Sequence, residues 1–207
     1  MKQAFGTAFS IFEIILSIVL ANVLLVIGSV LSGFLLFPVL LISTLYYLRR
    51  IYLYREFTGI IFNYTNFIKG NIVKSIKLLF PLVLFVGFML LSVFYYNQIL
   101  TDMLHPYFIL VIFVVQAFLL YQVVGVMIVS AILYGKNPDT ENKEILNKAF
   151  IIFNAHPIRG FLSILSLAAG VIFIVRVLPF SYLIVFPIGL FFFYVVFSDI
   201  IEQKKYA

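Results

Sequence analysis

The stretch SIFEIILSIVLANVLLVIGSVLSGFLLFPVLLISTLYYL, residues 10–48, carries a single charged side chain, Glu13. As one straight helix it would extend about 58 Å at about 1.5 Å per residue, nearly twice the roughly 30 Å of a bilayer's hydrocarbon core. The run must therefore double back on itself. Ser29, Ser32, Gly33 and Pro38 are the residues within it that favour a turn. This divides the stretch into a helix over residues 11–31 and a second over 33–52, with Pro38 in the first turns, where its missing N–H is tolerated.

Further apolar runs follow on the C-terminal side. They place a third span at 78–97, a fourth beginning after Pro106 and ending near Tyr134, a fifth at 160–177 and a sixth at 182–197, the last two joined by Leu178-Pro179-Phe180-Ser181. The fourth is the longest and is expected to tilt or to project beyond the bilayer. The fold class expected is all-α: a polytopic membrane protein of about six transmembrane helices with cytoplasmic amphipathic segments, forming a single integral membrane domain over 1–207. Composition agrees, with 64% hydrophobic residues, a mean hydropathy of +1.18 and only 11% charged residues, against about 25% charged in an average soluble domain.

Two residue types are missing altogether. The absence of cysteine excludes disulfides, thiolate metal sites and cysteine nucleophiles. The absence of tryptophan leaves interfacial anchoring to tyrosine, and Tyr46, Tyr47, Tyr52, Tyr54, Tyr95, Tyr96, Tyr107, Tyr134 and Tyr182 fall near the predicted span ends. The opening Met-Lys-Gln and apolar run could pass for a signal peptide. Glu13, the lack of a small-x-small cleavage site and the length of the run argue against that reading.

Between the second and third spans, residues 53–77 mix Arg55, Lys69, Lys74 and Lys77 with apolar residues. This pattern predicts a cytoplasmic interfacial segment, helical on both sides of Gly70-Asn71. On a helical wheel Ile61, Phe62, Ile68, Ile72, Val73 and Ile76 fall within an arc of about 140°, beside Asn63, Asn66, Lys74 and Lys77, with Lys69 as the exception. The most polar stretch is GKNPDTENKEILNKAF, residues 135–150. There Asn137-Pro138-Asp139 signals a turn, and Thr140 is expected to cap a short amphipathic helix.

Orientation follows from the basic residues. With six spans, the termini and the two long loops share one side and hold 13 of the 14 lysines and arginines, Arg176 being the exception. The positive-inside rule puts both termini in the cytoplasm of a multi-pass cell-membrane protein. A basic face of this kind attracts anionic lipid, at about 1 kcal/mol per residue near the surface. Nucleic acid is not an expected partner, because no separate basic domain exists to hold it.

Catalytic constellations are sparse. His105 and His156 fall on opposite faces and cannot share a metal or act as one acid–base pair, and no Gly-x-Ser-x-Gly, His-Glu-x-x-His or phosphate-binding glycine loop occurs. The chain is therefore not expected to be an enzyme, and no metal or cofactor is expected. Glu13 and Asp199 lie near cytoplasmic span ends and Arg176 near an outer one, where snorkelling or pairing accounts for them. The polar residues that sit deep are Asn22, Gln116 and Gln122. The two glutamines, six residues apart, are about 120° apart around a helix and do not form one stripe. Interhelical hydrogen bonding is the simpler reading, and a substrate pocket the alternative.

Phe62-Asn63 followed by Lys69-Gly70 is echoed by Phe153-Asn154 followed by Arg159-Gly160, each just before a span. Asn22, the turn Gly33-Phe34-Leu35-Leu36-Phe37-Pro38 leading to Leu48-Arg49-Arg50, the Phe67-x-Lys69-Gly70-Asn71-x-x-Lys74-Ser75 segment within residues 63–75, and Asn154-Ala155-His156-Pro157 carry a further likeness. Through them the chain resembles the YesL-like membrane proteins of Gram-positive bacteria, a domain of unknown function. That resemblance implies a non-enzymatic accessory role beside carbohydrate importers of the ATP-binding-cassette (ABC) type, with no active site to carry over.

The expected function is that of an accessory or interaction subunit, with a small-solute transporter or substrate-capturing subunit in its own right as the alternative. The sequence shows no mid-membrane acid and no nucleotide motif, so active uptake would draw its energy from another subunit. Lys69, Lys74, Lys77 and Arg159, in the basic loops 53–77 and 135–159, are the candidate interface for anionic lipid or for permease or ATPase subunits.

Overall fold

The computed structural model describes residues 2–32, 35–54, 60–95, 106–176 and 182–202, with the side chains of residues 2–12, 14, 22, 30, 60, 61, 63, 106, 170–176 and 182–187 outside that description. It is all-α. The described residues form seven helices: α1 (Lys2–Leu31), α2 (Phe37–Tyr54), α3 (Ile60–Tyr95), α4 (Pro106–Lys136), α5 (Asn142–Ala155), α6 (Pro157–Arg176) and α7 (Tyr182–Ile201).

The doubling back of the first apolar run occurs where the turn-forming residues lie. Ser32 donates its backbone N–H to Gly28 O at 3.1 Å, and its Oγ accepts from Leu36 N at 3.3 Å, so the end of α1 and the start of α2 are held by one serine. Pro38 sits in the first turn of α2. That helix is the centre of the bundle, packed against α1, α3, α4 and α7, with residues from Val39 to Ile51 buried on nearly every side.

α3 departs from the sequence reading. The segment around Gly70 is not a separate interfacial helix: α3 continues through Gly70 and Pro81 for 36 residues. Its buried face is also different. Tyr64, Phe67, Ser75 and Leu78 face the core, while Phe62 and Val73, assigned to the apolar arc, are exposed. Aromatic packing explains the choice, because Phe67 stacks on Tyr46 at 4.5 Å and the Tyr64 hydroxyl donates to Leu40 O at 3.1 Å. Tyr47 and Tyr134, expected as interfacial anchors, are likewise core residues.

Two regions can be distinguished along the bundle. At the end where α2, α4 and α7 terminate, their residues pack into a continuous core with α5. In the opposite half, α3 and α4 turn large apolar side chains outward, among them Phe88, Leu91 and Phe94 on α3 and Phe108, Val114 and Phe118 on α4. Among the described residues, Tyr64–Tyr95 and Tyr107–Lys136 are long and apolar enough to cross a membrane, and in their most apolar windows only 11% and 17% of residues are buried within the protein. Apolar surface on this scale belongs against lipid or another apolar partner. The helix pair α5–α6, bent by 97°, is a third candidate if it forms one broken span. α1 and α7 contribute the shorter apolar stretches Ile15–Ser29 and Ile188–Ile201.

Helix lengths set the relative depths. Tyr64–Tyr95 has 32 residues, about 48 Å of helix, longer than an about 30 Å hydrocarbon layer. Phe37, at the start of α2, lines the same cavity as Leu120 and Val124. The start of α2 therefore lies near the middle of α4.

The α4–α5 connection contains the expected turn at residues 137–140, but Thr140 is not the cap. Glu141 holds the N-cap position of α5 in an extended conformation and without a side-chain cap bond. α6 begins at Pro157, three residues before the expected start at residue 160. The echoed segments have different backbones, unbroken in α3 and broken at His156.

Candidate functional site

The best-defined polar arrangement lies where three helices end. Arg49, near the end of α2, donates from Nε to Glu202 Oε1 at 2.7 Å and from its second guanidinium nitrogen to Glu202 Oε2 at 3.2 Å. Lys136, the last residue of α4, lies 3.7 Å from Glu202 Oε2 and donates to Ile201 O at 2.6 Å. Two cations thus share one carboxylate, and Lys136 alone also takes the carbonyl at the end of α7, which places the C-terminal ends of α2, α4 and α7 together. Burial by itself would raise the Glu202 pKa. The Arg49 hydrogen bond and charge, followed by Lys136, outweigh it and hold the carboxyl below its ordinary value.

Around this clamp lie the sequence-predicted cations. Lys69, Lys74 and Lys77 are exposed along the first half of α3. Lys74 Nζ reaches Pro138 O at 3.5 Å, and Asn142 Nδ2 donates to Lys74 O at 3.4 Å, so this part of α3 is joined to the α4–α5 connection. Tyr134 donates to Asn71 Oδ1 at 3.0 Å, about one turn before Lys74 on α3. Arg159 is exposed on the first turn of α6 and donates to Val196 O on α7 at 3.3 Å. Lys74 and Arg159 therefore engage different elements, the α4–α5 connection and α7. Such a surface can attract anionic groups over a broad area, but it does not enclose a single small anion.

Of the deep polar residues, Gln116 has a local partner through its Nε2. Gln116 is buried and donates Nε2 to Ser92 Oγ at 3.0 Å, and Ser92 Oγ donates to Met89 O at 2.8 Å, linking α4 to α3 within their apolar halves. Gln122 lies partly buried, and its Oε1 has no hydrogen-bond partner among the described residues. The side chain of Asn22 lies outside the described residues, as do those of Arg176 and His105. Among the described residues no group of three or more His, Asp or Glu side chains gathers to hold a metal.

Two features carried no sequence signal. Arg49 and Glu202 are 153 residues apart, and nothing in their local patterns links them. The second is a ring slot: Phe153 is buried between Gly125 of α4 and Gly160 of α6, with no room for a methyl group at either glycine. A Cβ on Gly125 would overlap the ring, and one on Gly160 would lie 2.8 Å from both Phe153 Cε2 and the Tyr121 oxygen. Beside that slot, an apolar cavity of about 610 Å³ opens between α2, α3, α4, α6 and α7. No known protein family matches the chain, and no curated protein or solved structure is similar to it.

Proposed function

We propose that this chain is a non-enzymatic accessory subunit of the cell membrane that docks through its basic end, with both termini in the cytoplasm. The observation that carries this reading is the division of the molecule. One end gathers the Arg49–Glu202–Lys136 clamp and the exposed Lys69, Lys74 and Lys77, while the opposite half presents apolar side chains outward. The likeness of residues 63–75 and 154–157 to the YesL-like proteins supplies the proposed partner, a permease or ATPase subunit of a complex-carbohydrate ABC importer. Anionic lipid at the same face is part of the proposal, and nucleic acid is not.

Six passes remain the proposed topology. They require the connection between α1 and α2 to reach the outer face, although the start of α2 lies near the middle of α4. Reporter fusions after residue 103 are expected to read outside, and fusions after residue 140 and at the C-terminus inside. A cysteine replacing Ser32 that reacts with a membrane-impermeant maleimide on intact cells supports six passes, whereas a protected one reduces the count by the α1–α2 pair. An outside C-terminus overturns the orientation.

The alternative, a solute transporter or substrate-capturing subunit, is favoured by the cavity beside Tyr121. Its walls are almost wholly apolar, unsuited to a sugar, whose hydroxyls need hydrogen-bond partners when buried. Purification from native membranes decides between the readings. Copurification of an importer subunit, and its release by Lys74→Glu with Lys77→Glu in a protein that still inserts, supports the accessory role. Sugar uptake by liposomes containing this chain alone overturns it.

A further inference from the structure

We infer that the cavity beside Tyr121 is a binding site for one acyl chain of a membrane phospholipid, an inference that rests on the membrane placement proposed above. The cavity, about 610 Å³, is lined by side chains such as Leu41, Val86, Leu90, Leu120 and Leu167. This volume lies within the range of small-molecule sites. A second apolar recess of about 490 Å³ lies next to it, lined by Phe118, Pro157 and Phe161. Tyr121, Ile164 and Ala168 line both, so a thin wall of three side chains separates them.

The lining selects the occupant. A buried water needs two to four polar partners, and these walls offer almost none, so water, ions and sugars are poorly matched. Leaving the space empty would forfeit dispersion contacts along every wall. The rim indicates what can fill it. Leu90, which lines the cavity, is 57% exposed, and Phe118 and Phe161 at the neighbouring recess are 59% and 58% exposed. These residues belong to the outward-facing apolar surfaces of α3, α4 and α6. With those surfaces in a bilayer, the rim meets hydrocarbon chains, and a flexible chain can enter sideways without desolvating a polar group. The hydroxyl of Tyr121 donates to Pro157 O at 3.2 Å at the exposed edge of this wall, a polar point whose hydrogen bond is already made.

The test is photolabelling in nanodiscs of phosphatidylglycerol doped with the same lipid carrying a diazirine near the middle of one acyl chain, mapped by peptide mass spectrometry. Labels are expected on the cavity residues Leu120, Val124 and Leu167 as well as on the outward-facing Phe88 and Phe118. Ala168→Phe, which fills the shared wall, is expected to remove the cavity labels and leave the outward ones. Ala117→Phe provides a second filling variant should the first fail to fold. Labelling confined to Phe88, Phe118 and other outward positions overturns the lipid site but not the membrane placement. Absence of lipid labels everywhere overturns both. Crosslinks between two copies of the chain through Leu90 or Leu167, with no lipid label in the cavity, replace the lipid by a second protomer and also overturn the inference.

Discussion

α3 leaves the basic end as one unbroken helix, whereas the chain following Lys136 breaks at His156 and turns through 97°. Both segments contain a Phe-Asn pair followed by a basic residue and glycine, and each contains a proline. A short signature therefore does not determine the backbone. At Pro157 the break is local chemistry: the residue before a proline is steered out of the α region, and His156 has φ −128° and ψ 60°. His156 closes α5 by donating its N–H to Phe153 O at 3.4 Å and opens α6 by accepting from Gly160 N at 3.0 Å. Pro157 then occupies the first helical position, where its missing N–H costs little.

Pro81 faces the same restriction inside α3, yet the helix continues. It is exposed, and the carbonyl four residues earlier belongs to the exposed Lys77. With both residues exposed, the lost bond falls on the surface of the bundle and not in its packed core, where an unpaired carbonyl costs most. The packing differs as well. α5 is drawn against α4 by Ile145, Ala149, Ile152 and Phe153, all buried, and the Phe153 ring enters the slot between Gly125 and Gly160. In α3 the corresponding Gly70 faces open space.

Removing the ring tests this contrast most severely. Phe153 is fully buried and packs against Tyr121 and Phe197, with ring centroids 5.0 and 6.2 Å away. Phe153→Ala is expected to cost about 3–5 kcal/mol, the usual range for a buried phenylalanine, measured by denaturant unfolding in detergent. Spin labels at positions 148 and 158 should show a broadened distance distribution across the bend, while labels at 66 and 77 within α3 remain unchanged. A retained 148–158 distance would show that Pro157 alone maintains the angle.

Gly125→Ala addresses the same slot from the opposite wall. The added methyl overlaps the Phe153 ring, and overpacking of this kind costs about 1–3 kcal/mol. Phe153→Leu in the same chain is expected to recover part of the loss, because the smaller side chain vacates the volume. Failure of that rescue would show that the cost of Gly125→Ala arises elsewhere in α4.

Glu202 tests whether the clamp and the bend are independent. Glu202→Gln replaces charge-assisted hydrogen bonds by neutral ones and is expected to cost about 1–2 kcal/mol, without changing the 148–158 distance. Because the carboxyl is held below its reference value of 4.5, its contribution is fully present above that pH and is lost as pH falls through the lower folded-state value. The unfolding temperature of the native chain should therefore gain an acid-side decline that Glu202→Gln lacks. Equal decline in both proteins removes Glu202 as the source.

Features set by local composition were legible in the sequence. The helical class, the turn after Ser32, a helix beginning close to Pro106 and the polar connection at 137–140 follow from hydropathy and turn chemistry. The candidate cations Lys69, Lys74 and Lys77 were identifiable as exposed because few lysines are buried. Features set by packing were not legible. A helical wheel ranked Phe62 and Val73 with the buried arc, but the stack of Phe67 on Tyr46 fixes the rotation of α3. The Arg49–Glu202 pair and the Phe153 slot join residues from separate elements, and one sequence contains no record of which distant residues meet. Gly70 misled for the related reason that glycine marks a break only where neighbouring geometry requires one.

That last residue gives the smallest and sharpest prediction. Gly70 lies in the interior of α3, is exposed, and would present an added Cβ to open space with nothing within 4 Å. Alanine there meets no steric obstacle and reduces the backbone freedom lost on folding, so Gly70→Ala should stabilise the protein by about 0.5–1 kcal/mol. A glycine serving as a hinge would behave differently, because alanine would penalise its bent conformers and impair whatever depends on them. The straight α3 predicts higher stability, an unchanged distance between labels at 66 and 77, and undiminished capture of a docking partner. Loss of stability or of capture in Gly70→Ala would place a hinge in α3 and erase its contrast with the break at His156.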